Sequence, residues 1–159
     1  MTVTTGVLGG KSYGFRYRAK NRQGIGAYSD TAYFKAVNVP DQMVPAIISE
    51  TGVNVRIEWI APNSGSLPIV SYLIEIMTAD SENYAETSSC NGTDSYIISN
   101  MFCTVPMSNL TTSPFNLTQG ELIRVRLSAK NSLGFGIAST LNTVGVLAKQ
   151  KPHKPLDVP

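Results

Sequence analysis

The sequence predicts an all-β protein, two antiparallel sheets packed face to face, with one full unit preceded by the last two strands of another. Three observations predict it. Short apolar segments alternate with polar residues one by one, connections rich in Gly, Pro and Asn separate them, and a stretch near the start recurs near the end. A two-residue period is that of a strand with one face on a core. No 3.6-residue period runs for any length, so no long helix is expected. Many short strands with turn signals between them are the pattern of a two-sheet sandwich.

The repeat is the main signal. Gly10–Ser29 and Gly120–Ser139 match at an offset of 110, with eight of 20 positions identical. The identities are Gly10/Gly120, Arg16/Arg126, Ala19/Ala129, Lys20/Lys130, Asn21/Asn131, Gly24/Gly134, Gly26/Gly136 and Ser29/Ser139. The inward positions keep their character: Tyr13, Phe15, Tyr17 and Ala19 become Ile123, Val125, Leu127 and Ala129. Each copy therefore reads as a strand, a turn at Asn21–Gly26 or Asn131–Gly136, and a second strand near Ala27–Val37 or Ile137–Ala148. Asn and Gly suit such turns because they tolerate positive φ.

Between the copies lies the rest of a unit. Pro40–Pro45 is a Pro-bearing joint, and Pro152–Pro155 is a second one. Val53, Val55, Ile57 and Trp59 alternate with Asn54, Arg56 and Glu58, a strand with one buried face; Trp59 ends an inward row and is expected in the core. Ala61–Pro68 is a Pro/Gly-rich connection. Val70, Tyr72, Ile74 and Ile76 alternate with Ser71, Leu73, Glu75 and Met77 as another strand. Cys103–Leu110 is apolar enough for one more. The predicted core is thus Val55, Ile57, Trp59, Tyr72, Ile74, Ile123, Val125 and Leu127.

The run Val55-x-Ile57-x-Trp59-x-x-Pro62, then Pro68-Ile69-x-x-Tyr72-x-Ile74, then Gly120 and Ile123-x-Val125-x-Leu127-x-Ala129-x-Asn131-x-x-Gly134-x-Gly136-x-x-Ser139, resembles a fibronectin type III domain. The resemblance implies an immunoglobulin-like antiparallel sandwich over residues 39–149. It makes residues 1–38 the end of a preceding repeat and residues 150–159 a linker or the start of a following one. The chain then reads as a window on a longer polypeptide. An antibody-type sandwich is not expected, because neither the Trp59 strand nor the Ile123 strand carries a Cys. The sequence departs from the family in three respects. The period exceeds the usual length of about 100 residues, the excess falling in an insertion at about 79–110 that bears both cysteines. That insertion looks like the version in large repetitive surface proteins of ciliates. The family's tyrosine is kept as Tyr13 but replaced by Ile123, and no Arg-Gly-Asp is present.

Cys90 and Cys103 are the only cysteines. In an extracellular sandwich an even count reads as a disulfide; the alternative is two buried reduced thiols in a cytosolic protein. Three Asn-x-Thr sequons, at Asn91, Asn109 and Asn116, fall in the loop region or at a strand edge, where N-linked glycans are expected to face water. Two Cys and one distant His do not close a zinc shell, so no metal is expected. Asp80 and Glu82 lack the ligand number calcium needs. The basic rows Arg16, Arg18, Lys20 and Arg124, Arg126, Lys130 invite a heparin or phosphate reading. Pairing of Arg124 or Arg126 with Glu75 on the adjacent strand is the simpler one.

Composition excludes several classes. Thirteen Lys/Arg against 11 Asp/Glu give a net charge of +2, too weak a field for nucleic acid or an anionic membrane. No apolar run approaches the ~18 residues of a membrane span, and Met1–Gly6 has neither the basic start nor the apolar stretch of a signal peptide. The single His153 lies in a linker with no Ser or Asp set around it, so neither catalysis nor a cofactor is expected.

The leading expectation is a non-catalytic structural or adhesive repeat module of a large extracellular or cell-surface protein. Its partners would be neighbouring repeats of the same or identical chains, assembling into a fibre. A ligand-binding receptor ectodomain and a spacer in a secreted carbohydrate-active enzyme are the rivals. The ectodomain would show exposed aromatics clustered near Ala61–Pro68 and Leu133–Ile137, with Phe135 the one candidate. Two strands alone leave an open edge and a wet apolar face. Residues 1–38 are therefore expected to be held by further chain or by a neighbouring molecule. Finding residues 10–38 isolated and touching nothing would overturn that expectation.

Overall fold

The structure is a computed structural model, and it describes residues 6–150. Eleven strands are assigned among them. The first hairpin is β1 (Ser12–Phe15) with β4 (Ala32–Lys35), carrying at its tip the small ladder of β2 (Lys20–Asn21) and β3 (Gly24–Ile25). The remaining strands form two antiparallel sheets. One holds β5 (Ile47–Thr51), β6 (Asn54–Glu58) and β9 (Phe102–Pro106), in that order. The other runs β11 (Gly134–Phe135), β10 (Val125–Asn131), β7 (Ser71–Met77), β8 (Tyr84–Ala85). Two short helices, α1 (Ser95–Asn100) and α2 (Met107–Leu110), flank β9, and Ser88–Cys90 forms a 3₁₀ turn. The protein is all-β with an antiparallel two-sheet architecture.

Alternation builds the core. Val55, Ile57 and Val105 of the three-stranded sheet meet Ile74, Ile76, Val125 and Leu127 of the other, and all are at most 1% exposed. Ile123 and Ala129 join them, and Trp59 and Tyr72 close one end with rings edge to face at 5.2 Å. Registers bring Ile57 opposite Cys103, and Leu127 opposite Ile74. All eight residues read as core from the sequence are buried. The indole N–H of Trp59 has no hydrogen-bond partner among the described residues, while its backbone amide donates to the Met101 carbonyl at 3.0 Å.

Several local expectations are corrected. Val53 lies in the β5–β6 turn, 81% exposed, because the strand begins only at Asn54. Val70 precedes β7 and is exposed, whereas Ser71 and Met77, expected on the wet face, are buried. Cys103–Leu110 is not one strand: β9 ends at Pro106 and α2 follows, burying Met107 and Leu110. Within the cysteine-bearing insertion, the segment between the cysteines contains α1. Asp94 caps it by accepting hydrogen bonds from the amides of Tyr96 (2.7 Å) and Ile97 (3.4 Å), and Met101 ends it in the left-handed region at φ 57°. Six residues are too few for a periodic signal. The second strand expected near Ala27–Val37 is only β4 (Ala32–Lys35), and none is assigned within Ile137–Ala148, where a single bridge between Leu122 and Leu147 marks the return of the chain; the two-residue β11 falls inside the expected turn instead.

The first copy pairs with itself, and its contacts with the sandwich lie at its base, where the amide of Asn38 donates to the carbonyl of Gly65 at 2.9 Å. It is not wholly isolated, yet nothing among the described residues covers its apolar face. Phe15 and Tyr17 are 44% and 81% exposed, where their counterparts Val125 and Leu127 are sealed. The retained Tyr13 hydroxyl accepts a hydrogen bond from the Leu8 amide at 2.6 Å, a bond that Ile123 cannot make in the second copy.

Truncating the sealed layer tests this packing. Leu127→Ala should cost about 2–5 kcal/mol in denaturant unfolding, whereas Tyr17→Ala at the equivalent exposed position should cost under about 1 kcal/mol.

Candidate functional site

Among the described residues the most extensively built feature is the joint that leads from the first hairpin into the sandwich. The chain enters the sandwich through Asn38–Asp41, antiparallel to the Asn63–Gly65 segment. The Asp41 amide donates to the Asn63 carbonyl at 2.9 Å, matching the bond from Asn38 to Gly65. Asn131, the last residue of β10, is fully buried here. Its side-chain Nδ2 donates to the carbonyls of Asn38 (2.7 Å) and Ser64 (3.0 Å), while its Oδ1 accepts from the Leu133 amide (2.9 Å). One side chain thus ties the incoming joint, a loop and the β10–β11 turn together. Gln42 adds a bond from its Nε2 to the Ala138 carbonyl at 2.8 Å. Backbones approach so closely that a Cβ on Gly65 would collide with Asn38 and Val39, and one on Gly136 with Pro40.

The first copy reproduces half of this arrangement. Asn21 Oδ1 accepts from the amides of Gln23 (2.9 Å) and Gly24 (3.1 Å), as Asn131 does from Leu133. The Gly26 amide donates to the Ala19 carbonyl at 2.9 Å, as Gly136 does to Ala129 at 2.8 Å. Ser29 Oγ accepts from the Tyr17 amide, and Ser139 Oγ from the Leu127 amide, each at 3.1 Å. The shared Asn, Gly and Ser residues are therefore turn and joint residues. The repeat was visible in the sequence; the clamp made by Asn131 was not, because its acceptors lie 93 and 67 residues away.

The cysteines are joined. Cys90, ending the 3₁₀ turn, and Cys103 on β9 form a disulfide with Cα atoms 5.2 Å apart, both buried. The bridge fastens the α1 segment to the three-stranded sheet. Asn91, Asn109 and Asn116 are all exposed, and Asn109 sits on α2 rather than at a strand edge. Asn91 Oδ1 already accepts from the Thr93 amide (3.1 Å) and hydroxyl (2.8 Å), an Asx turn.

Charges on the outer faces pair locally. Arg126 makes a two-pronged bond to Glu75, at 2.7 and 3.0 Å, with its guanidinium 3.6 Å from the centre of the Tyr84 ring. That carboxylate bond keeps the guanidinium protonated beyond its ordinary range. Arg56 bonds Glu58 and lies over Phe102. Among the described residues no three His, Cys, Asp or Glu side chains gather as a metal site. Asp80 is instead consumed by its own turn. The Thr78 hydroxyl (2.6 Å), the Asn83 side chain (2.7 Å) and the amides of Glu82 and Asn83 (3.0 Å each) donate to it. These bonds, Thr78 first, hold its carboxyl well below the usual carboxylate range. His153 and all but the first residue of the expected linker or following repeat at 150–159 lie outside the described residues.

Two outcomes follow from this geometry. Asn131→Ala leaves two carbonyls of the joint without their donor and should cost about 1–3 kcal/mol in denaturant unfolding, with Asn21→Ala close to neutral. Asp80 has a depressed folded pKa, so its stabilisation is present above the unfolded value near 3.8 and is lost as pH falls below it. The stability gap between wild type and Asp80→Asn should therefore narrow in acid titrations below about pH 4.

No protein-family model matches the chain. Among curated proteins it is similar to host cell factor homolog hcf-1 of Caenorhabditis elegans, 26% identical over 137 residues that are 84% of this chain and 18% of that protein. The chain thus spans under a fifth of the relative's length. Among solved structures it is similar to domains A168–A170 of titin, with a TM-score of 0.50 and 21% identity over 84% of this chain and 39% of that one. It is also similar to the sixth fibronectin type III domain of human fibronectin type III domain containing protein 3, with a TM-score of 0.51 and 14% identity over 76% of this chain and 97% of that one. With its sheet orders, sealed inter-sheet layer and edge-to-face Trp59–Tyr72 pair, the chain has the fold of fibronectin type III domains.

Proposed function

We propose that the chain is a non-catalytic structural or adhesive module of a large repeat protein, placed outside the cell or at its surface. The observation that carries the reading is the joint. The Asn-x-x-Gly-x-Gly turn that recurs at 21–26 and 131–136 serves, in the second copy, to clamp the segment that links the copies. A residue repeated for the sake of a link between units is what a load-bearing or spacing array requires. Neighbouring repeats of the same or identical chains are then its principal partners. The placement outside the cell is supported by the Cys90–Cys103 disulfide, since such bridges persist in oxidising compartments. It is supported too by the exposure of Asn91, Asn109 and Asn116, open to N-linked glycans. A net charge of +2 gives no field for nucleic acid, and among the described residues no helix is long and apolar enough to cross a membrane.

A second reading, a ligand-binding ectodomain, draws on the exposed side chains of Leu133, Phe135 and Ile137 at the β10–β11 turn. Lys130 Nζ lies 5.0 Å from the centre of the Phe135 ring, so that ring has a neighbour of its own.

Intact-mass measurement of native material, before and after reduction and deglycosylation, tests the proposal. The expected result is no free thiol at Cys90 or Cys103 and sugar removed from at least one of the three sequons. Two free thiols with no sugar would refute the placement outside the cell.

A further inference from the structure

The insertion holds the one Asn-Gly pair of the sequence, Asn91-Gly92, and the two flanks of that pair are fastened to different sheets. On one side Cys90 is bonded to Cys103 of β9, in the three-stranded sheet. On the other, the Gly92 carbonyl accepts from the amide of Tyr72 on β7, in the four-stranded sheet, at 2.9 Å. Gly92 is buried, and it lies so close to β7 that an added Cβ would collide with the Tyr72 carbonyl. Asn91 between them is exposed. Its carbonyl accepts from the Asp94 amide at 3.0 Å, and its side-chain oxygen is held by Thr93.

An Asn-Gly pair has a chemistry of its own. The glycine nitrogen attacks the side-chain carbonyl carbon of the asparagine: the N–Cγ bond forms, the Cγ–Nδ2 bond breaks, and ammonia leaves. Water then opens the cyclic imide at either carbonyl, giving aspartate or isoaspartate. Glycine has no side chain to obstruct the approach, and asparagine is a thermolabile residue. The fold opposes the first step. With Asn91 at ψ 103°, the Gly92 nitrogen is turned away from the Asn91 side chain. Ring closure needs a large rotation about the Cα–C bond of Asn91, and that rotation must carry one flank with it. Moving the Gly92 flank breaks the bond from Tyr72 and lifts Gly92 out of its buried place. Moving the other flank pulls on Cys90, which is covalently held.

We propose that Asn91-Gly92 is a latent self-modification site locked by its two flanks, and that opening of the Cys90–Cys103 bridge releases it. The bridge opens by exchange with a dithiol: the two thiol protons pass to the cysteine sulfurs, and the dithiol is oxidised to its own disulfide. The Cys90 flank is then free to turn while Gly92 keeps its place on β7, and the imide closes. The product carries a new carboxylate, and in the isoaspartate form the main chain is longer by one carbon. Nδ2, the atom through which Asn91 would accept a glycan, is lost. The converted residue thus records that the bridge has been open. The inference is independent of the protein's role as a repeat module.

The test uses the full chain, produced without glycosylation and with the bridge closed, so that Asn91 starts as the free amide. It is kept in neutral buffer alone, with dithiothreitol, and with dithiothreitol in urea. Products at Asn91 are quantified by peptide mapping and mass spectrometry. Hydrogen exchange at the amides of Val125 and Leu127, which donate to Asn142 and Ser139, reports on the core. The expected result is conversion about tenfold or more slower in the oxidised folded chain than in urea, rising towards the urea rate on reduction while Val125 and Leu127 stay protected. A chain with Cys90→Ser and Cys103→Ser should convert as the reduced chain does, without reductant. Equal conversion in the oxidised folded chain and in urea overturns the proposal, as does a reduced or doubly substituted chain as slow as the oxidised one. Loss of protection at Val125 and Leu127 on reduction means that the bridge holds the whole fold, and overturns the local lock equally. None of these results bears on the thiols and sugars of native material, so failure here is separable from failure of the functional reading.

Discussion

The layer between the two sheets is the constraint on which the rest depends. Val55, Ile57 and Val105 reach from one side and Ile74, Ile76, Val125 and Leu127 from the other, and water is shut out of the space they share. Burying a side chain of that size is worth about 1.5–3 kcal/mol relative to leaving it exposed. The molecule contains its own comparison. The Phe15–Ala19 stretch has nearly the pattern of Val125–Ala129, yet among the described residues no opposing sheet or adjacent strand meets it, and Phe15 and Tyr17 are exposed.

The disulfide-held segment is organised around the same layer. Between Cys90 and Cys103 the chain buries little beyond Ile97, so its own hydrophobic surface cannot hold it. The bridge limits the freedom of that loop in the unfolded chain, an effect of roughly 3 kcal/mol for a loop of this length on the entropic account. Because Cys103 sits on β9 opposite Ile57, the anchor of the loop is itself part of the core. The short α1 helix survives there through its Asp94 cap and the packing of one side chain.

The joint follows a different rule. It is stabilised by buried polar pairing, with Asn131 fully enclosed and three of its bonds satisfied by backbone groups. A buried amide with its partners in place specifies one geometry, and the same amide without them is costly. The clamp thus sets the path of the linking segment as well as adding stability. Gly65 and Gly136 belong to the same arrangement, since a side chain at either would push the joint away.

How much of this was legible in advance varies residue by residue, for physical reasons. Period-two alternation revealed the inward rows from Val55 to Trp59 and from Ile123 to Leu127, because a strand's geometry places every second side chain on one face. It failed at Val53 and Val70, where the alternation runs past the strand ends, and at Met107–Leu110, where four apolar-rich residues form a turn of helix. The Arg126–Glu75 pair was within reach, since adjacent strands face opposite charges in register. Asp94 as a cap was legible only in hindsight, its helix being too short to show a period. By itself the amino-acid order determined the fold class, the core rows and the existence of two copies, all of which are encoded in local spacing. Tertiary structure alone decided that Asn131 clamps the joint and that Asp80 is used up in its own turn. Those outcomes depend on which distant backbone groups arrive beside a side chain, and no local pattern carries that information.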